Sequence, residues 1–158
     1  MNKFEKISAR RFSADISDKC AYDDIKLPVR ATKNSAGYDF FAPFDFTLAS
    51  GESIKVPTGI RVLLDDDKVL LIAPRSGLGC KYRLQLDNTL GVVDADYSGS
   101  DNEGHIFIKI TNDSKEGKTL SVKKGEAFAQ GIIVQFFKTV DDNATEERNG
   151  GFGSTNKK

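Results

Sequence analysis

The chain has 158 residues, with 23 lysines and arginines against 23 aspartates and glutamates and a single histidine. That length supports one domain burying roughly two thirds of its unfolded surface, and the even charge balance argues against a protein that coats DNA or RNA. No apolar run approaches the ~18 residues of a membrane span, and Met1-Asn2-Lys3-Phe4-Glu5-Lys6 has no signal-peptide core, so a cytoplasmic or other intracellular setting with no membrane and no nucleic-acid polymer as partner is expected.

Helical periodicity is almost absent, and short apolar or alternating runs are broken by Gly, Pro, Asn and Asp. In chain order the pattern predicts strands over residues 4–8, 44–48, 53–56, 60–64, 69–74, 91–94, 105–111, 119–122 and 127–137. One short helix is predicted over Ser76–Tyr82, after a Pro-Arg-Ser-Gly turn. Many short strands at close spacing predict an all-β sandwich or barrel. The polar stretches 15–24 and 141–147 read as loose. Asp65-Asp66-Asp67, between two apolar runs, reads as a solvated hairpin turn rather than a cation site.

Few residues are suited to nucleophilic or zinc chemistry. Cys20 and Cys80 are the only thiols, and in a reducing compartment they are unpaired. His105 opens a strand-like run and reads as a solvated strand end. Two cysteines and one histidine so widely spaced make a poor zinc site. Chemistry would fall to carboxylates, arginines and a hard metal ion.

Five segments carry that chemistry. Ser35-Ala36-Gly37-Tyr38-Asp39 sets a carboxylate just after a tight glycine. Ala73-Pro74-Arg75-Ser76-Gly77-Leu78-Gly79 sets Arg75 and Ser76 at a strand end, followed by unspent N–H groups, which makes an anion cradle. Residues 88–100, Asn-Thr-Leu-Gly-Val-Val-Asp-Ala-Asp-Tyr-Ser-Gly-Ser, read as a hairpin with Asp94, Asp96 and Tyr97 near its turn. In Gly125-Glu126-Ala127-Phe128-Ala129-Gln130-Gly131, Gln130 lies inside an apolar strand and needs a backbone or ligand partner. Last, Arg148-Asn149-Gly150-Gly151-Phe152-Gly153-Ser154-Thr155 sets one ring among glycines, with an arginine upstream and two hydroxyls downstream. Arginine and hydroxyls donate to phosphate, glycines open the backbone to a partner, and the ring can stack on a base. Singly, each segment has an ordinary explanation: Asp39 as a turn cap, Arg75 paired with a surface acid, Tyr97 in the core, the tail as a loose terminus. The five in this order are far harder to dismiss.

Together they resemble the five ordered motifs of the trimeric dUTP diphosphatase (dUTPase) family, from about Ala36 to Thr155, with Pro-Arg-Ser-Gly-Leu-Gly, Gly-Val-Val-Asp-Ala-Asp-Tyr and Gly-Gly-Phe-Gly-Ser-Thr as the specific signatures. The resemblance implies a jelly-roll-like β domain over residues 1–147 and a C-terminal arm over residues 148–158. It implies a homotrimer with shared active sites. It also implies Mg²⁺-dependent hydrolysis of dUTP to dUMP and pyrophosphate, which limits uracil in DNA and supplies dUMP for dTMP synthesis. By that resemblance Asp94 activates water, and Tyr97 packs against deoxyribose and leaves no room for a 2′-hydroxyl. Asn88 and the backbone from Gly91 through Val93 to Tyr97 read uracil. Arg75, Ser76, Gly77 and Gln130 hold phosphates. Phe152 covers uracil, and Arg148, Gly153, Ser154 and Thr155 take the β- and γ-phosphates. Asp39 acts indirectly, through water on magnesium or by fixing an arginine.

The sequence departs from the family pattern in four places. Ala127 stands where arginine is common. Arg148 lies two residues before Gly150 rather than three. Ser100-Asp101-Asn102-Glu103-Gly104 is a longer link than usual, and the segment 13–26 looks inserted. A dCTP deaminase on the same fold is disfavoured by the tail and by the Asp-Ala-Asp-Tyr segment. A regulatory role added to catalysis would use the segment 13–26 as its contact surface.

Overall fold

A computed structural model describes residues 1–146 and Arg148. Its strands are β1 (Lys3–Lys6), β2 (Val29–Arg30), β3 (Tyr38–Phe41), β4 (Phe46–Leu48), β5 (Ser53–Pro57), β6 (Ile60–Leu63), β7 (Lys68–Pro74), β8 (Leu84–Leu86), β9 (Gly91–Asp94), β10 (Phe107–Asn112), β11 (Leu120–Val122) and β12 (Ala127–Gln135). Helix α1 spans Ala9–Asp15, α2 spans Ser76–Tyr82, and single 3-10 turns cover Tyr22–Asp24 and Ala95–Gly99.

Every strand pair is antiparallel. The largest sheet has the order β2-β3-β12-β7-β9; a second has the order β5-β10-β8, and β1-β6 and β11-β4 form two small ribbons. The alternation of strand residues explains the layering. Ile108 and Ile110 on β10 are fully buried while Lys109 between them is exposed, as expected for a sheet with one face on the core. Phe40, Leu70, Ile72 and Phe128 come inward from the five-stranded sheet to meet them. Phe128 meets Phe46 of β4 edge-on, with ring centroids 5.9 Å apart.

The all-β expectation holds, and nine predicted strands have counterparts within a few residues. The additions are short: β2, β3 and β8 have two to four residues each, too few for a periodic pattern to declare itself. Helix α1 is a second helix where one was expected. Ser8 caps it, its hydroxyl accepting from Arg11 N–H at 3.1 Å, and it buries Phe12 against Tyr22. The stretch 15–24, read as loose, is tied down by Ile16, which is buried, and by Tyr22, whose hydroxyl donates to Ile7 C=O at 2.8 Å. Both cysteines are free.

Candidate active site

Three of the motif segments meet on the five-stranded sheet. In register, Asp39 of β3 lies opposite Gln130 of β12, and Gln130 lies opposite Ala73 of β7, one residue from Pro74. Arg75 follows Pro74 as the N-cap of α2. Its guanidinium Nε lies 3.2 Å from Asp39 Oδ1, a pair in which the carboxylate is only 16% exposed and the arginine 45%. Asp39 therefore aims an arginine that keeps donors free for another anion. Gln130 finds its partner in backbone, with Nε2 donating to Pro74 C=O at 3.2 Å. A Cβ at position 37 would lie 2.6 Å from Gln130 Oε1, so the glycine before Tyr38 is what lets that amide lie flat beside Arg75's strand. Arg75, Ser76 and Gly77 line one wall of a groove of about 580 Å³, with Glu126 and Ala127 opposite. The first N–H groups of α2 have no partner within the helix. Ala127, where an arginine was expected, leaves this groove without a second cation from β12.

Asp94 and Tyr97 form a second group. Asp94 ends β9, its register partner on β7 is Val69, and it precedes the 3-10 turn that carries Tyr97. The Asp94 carboxylate is about half exposed, and the Arg148 guanidinium rests on it and on Asp96, with Nε 3.0 Å from Asp96 Oδ1. The same guanidinium lies 5.8 Å from the Tyr97 ring centroid. Tyr97 is buried, and its hydroxyl donates to His105 C=O and accepts from Asn102 Nδ2, both at 2.8 Å. Burial pushes the phenol pKa above its ordinary value, with the Asn102 hydrogen bond working the other way.

Asn88, Gly91 and Val93 line a third feature, a cavity of about 280 Å³ whose other walls include Ile72, Leu86 and Phe107. β8 and β9 belong to different sheets, and the chain between Leu86 and Gly91 crosses from one to the other around a turn with Thr89 at φ 68°. The hairpin expected over residues 88–100 does not form: β9 pairs with β7, and after Asp94 the chain enters the 3-10 turn that carries Asp96 and Tyr97, with no returning strand beside β9 among the described residues. The cavity is largely apolar, with Asn88 at its rim, which suits a flat ring recognised at one edge.

These groups are not all brought together. Asp94 sits at the level of Val69 and the Arg75 cluster just beyond Pro74, at the other end of the same strand. Five residues of strand are roughly 17 Å. Phe152, Gly153, Ser154 and Thr155 lie outside the described residues.

His105 overturns its expectation. It is fully buried rather than solvated: Nδ1 lies 2.7 Å from Asp15 Oδ2, and Nε2 accepts from Gly59 N–H at 2.9 Å. The second contact requires a bare Nε2, so the ring is neutral and donates through Nδ1. Burial pushes its pKa down, with Asp15 pulling the other way. The reason is α1, which brings Asp15 over the strand end. Asn102 and Asp15 are the polar residues of this region that sequence reasoning passed over. The unusual length of residues 100–104 was the only signal for Asn102.

The dUTPase family model matches residues 23–156. The deoxyuridine 5'-triphosphate nucleotidohydrolase of Lactococcus lactis subsp. lactis (strain IL1403) is 40% identical over 134 residues, 83% of this chain and 88% of that protein. Its counterpart in Hahella chejuensis (strain KCTC 2396) is 38% identical over 151 residues, 90% of this chain and 95% of that protein. The crystal structure of dUTPase from Streptococcus mutans superposes with a TM-score of 0.67 at 31% identity, covering 86% of this chain and 97% of that one. A mutant dUTPase from phage phi11 of S. aureus, whose structure reveals the coordination of a structural Mg(II) ion, shares the fold at 21% identity, with a TM-score of 0.67 over 92% of this chain and 97% of that one.

Proposed function

Because this chain belongs to the dUTPase family and is a dUTP diphosphatase that hydrolyses dUTP to dUMP, we propose that Asp94 is the base of that hydrolysis and Arg75 its main phosphate anchor. Water attacks the α-phosphorus, its proton passes to Asp94, and the bond to the α,β-bridging oxygen breaks to release pyrophosphate. Arg75, aimed by Asp39, and Gln130, Ser76 and Gly77 beside it hold the phosphates; charge that develops on the leaving group meets donors already in place. The cavity at Asn88, Gly91 and Val93 takes uracil, and Tyr97 stands against the deoxyribose. The observation that carries this reading is the meeting of Asp39, Arg75 and Gln130, drawn from three separate segments, on adjacent strands β3 and β12 and at the end of β7.

The distance along β7 supports shared sites. A nucleotide held by Asp94 of one chain has its phosphates out of easy reach of that chain's Arg75, so a second copy supplies the anchor, as in a homotrimer. Residues 148–158 act as the arm over the site, with Phe152 on uracil and Arg148, Gly153, Ser154 and Thr155 on the β- and γ-phosphates. Arg148 then leaves Asp94 and Asp96 as the triphosphate arrives.

The described residues contain no group of three His, Cys, Asp or Glu suited to holding a metal ion. Asp39 is already ion-paired. These donors fit Mg²⁺ carried mainly by the triphosphate, since Mg²⁺ favours phosphate and water oxygens over an all-protein cage, and Asp39 would hold it through water. Bound there, it would supply neutralisation of charge on the departing pyrophosphate. No helix among the described residues is long and apolar enough to cross a membrane, and an intracellular enzyme is the reading that fits a nucleotide substrate.

The test is pyrophosphate release from dUTP, dCTP, dTTP and UTP with and without Mg²⁺, together with mixing of two variants. Asp94→Asn and Arg75→Ala chains are each expected to be inactive alone and to regain part of the activity when refolded together. No recovery on mixing, with trimers present by light scattering, would overturn the shared site.

A further inference from the structure

We infer that Asn102 is a positioning residue that holds the Tyr97 ring in place and so sets discrimination between deoxyribose and ribose. The inference rests on the reading of Tyr97 as the wall beside the sugar. A wall excludes one oxygen atom only if it cannot swing aside, and Tyr97 is restrained at its hydroxyl. That oxygen has one hydrogen to give and lone pairs to receive, and here both functions are used: it donates to His105 C=O and accepts from Asn102 Nδ2, at 2.8 Å each.

Asn102 is itself held. Its Oδ1 accepts from Gly104 N–H at 3.1 Å and lies 2.7 Å from Ser100 Oγ. Ser100 Oγ is also 2.6 Å from Tyr97 C=O, so the loop closes back onto the turn that carries the ring. Gly104 makes that closure possible. Its φ is +73°, and a Cβ there would meet Ser98 Cα at 2.7 Å and Tyr97 C=O at 3.0 Å. Glu103 and Asp101 fasten the loop to α1. The Glu103 carboxylate accepts Ser8 N–H at 2.9 Å and Ser8 Oγ–H at 2.7 Å, and Arg11 Nη2 donates to Asp101 C=O at 3.0 Å. The second restraint on Tyr97 is equally fixed, because His105 is pinned between Asp15 and Gly59. The longer link and the N-terminal helix thus converge on one phenol oxygen. Asn102 acts on the substrate only through that oxygen.

The experiment measures kcat/KM for dUTP and UTP on the full-length chain and its Asn102→Ala, Tyr97→Phe and double variants, with thermal melting alongside. Asn102→Ala is expected to lower the dUTP-to-UTP ratio about fivefold, the size of effect a lost neutral hydrogen bond gives. The change should come mainly through faster use of UTP, with kcat for dUTP within about twofold of the parent. In the Tyr97→Phe background the same substitution should leave the ratio where Tyr97→Phe alone puts it. Asn102→Leu, close in volume, serves where alanine leaves the protein unfolded. A ratio unchanged by Asn102→Ala or Asn102→Leu in a folded protein would overturn the inference, as would a further loss in the Tyr97→Phe background. A parent protein that does not prefer dUTP to UTP would instead sink the reading of Tyr97 as the sugar wall.

Discussion

Replacing Gly37 with alanine should separate phosphate handling from stability. The added Cβ would lie 2.6 Å from Gln130 Oε1, at least a few tenths of an ångström inside the closest tolerated approach. The atom in the way is the end of a flexible side chain, so the Gln130 amide turns aside rather than the backbone. That movement breaks its 3.2 Å hydrogen bond to Pro74 C=O, the side-chain contact that supplements the β12–β7 ladder next to Arg75. One neutral hydrogen bond is worth about 0.5–1.5 kcal/mol, which converts to a loss of about 2- to 13-fold in kcat/KM if the phosphates feel all of it. Stability should barely move. Gly37 is not among the glycines with positive φ, so alanine adopts its backbone without strain and reduces unfolded-state entropy by about 0.4–1 kcal/mol, offsetting the lost bond. Steady-state kinetics with dUTP and a melting curve decide the matter. The expected pair is a several-fold rise in KM and a Tm within about 3 °C of the parent. Unchanged kinetics would show that Gln130 does not organise the phosphate site.

Asp94→Asn should lower kcat by about 10²–10⁴ with nucleotide affinity nearly intact, since an amide keeps the shape but cannot take the proton of water; titration calorimetry beside kinetics checks both halves, and retained turnover would remove Asp94 as the base. Ending the chain after residue 147 should leave assembly unchanged by light scattering and lower dUTP turnover by about 10²-fold, through loss of alignment over the site; near-parent activity would strip residues 148–158 of their role. Because burial holds the His105 pKa below its ordinary value of 6.5, the unfolded chain takes up a proton that the folded chain refuses. Stability from this group is therefore whole above pH 6.5 and declines as pH falls below it, by at most about 1.4 kcal/mol per unit. Asp15, Arg11 and Glu103 are the charges that act on this ring. Urea midpoints at pH 7.5, 6.5 and 5.5 should show the decline in the parent and a shallower one in His105→Gln, whereas identical slopes would refute it.

Residue types and order singled out the candidate segments, because phosphate chemistry calls for arginine, hydroxyls and glycines that stand out in an otherwise ordinary β sequence. Pairings were not legible. That Asp39 aims Arg75 follows from the β3-β12-β7 register, and β3 was hidden because Tyr38–Phe41 is short and begins among turn residues. Gln130 was recognisable as a polar residue in need of a partner, but whether backbone or ligand supplied it depended on Pro74 lying across the ladder. The error over His105 has the same source. Its own neighbours form an alternating strand, and nothing local declares a helix some 90 positions earlier in the chain. The separation of Asp94 from Arg75 was invisible too, because the motifs lie close in sequence while β7 and β9 run antiparallel.

The place of β12 in the largest sheet has a consequence for how the chain folds. It is the last strand of the described chain, yet it is the middle one of five, hydrogen-bonded to β3 on one side and β7 on the other. Until residues 127–135 insert, β2-β3 and β7-β9 are two separate ribbons, each with an open edge. Closing the sheet joins segments some 90 residues apart, a slow step dominated by loop closure. The same insertion brings Gln130 beside Asp39 and Pro74, so the proposed phosphate anchor assembles only with it. Refolding followed by stopped flow should therefore show activity returning no earlier than the final structural phase, and the two unpaired ribbon edges mark where aggregation would begin if that phase were delayed.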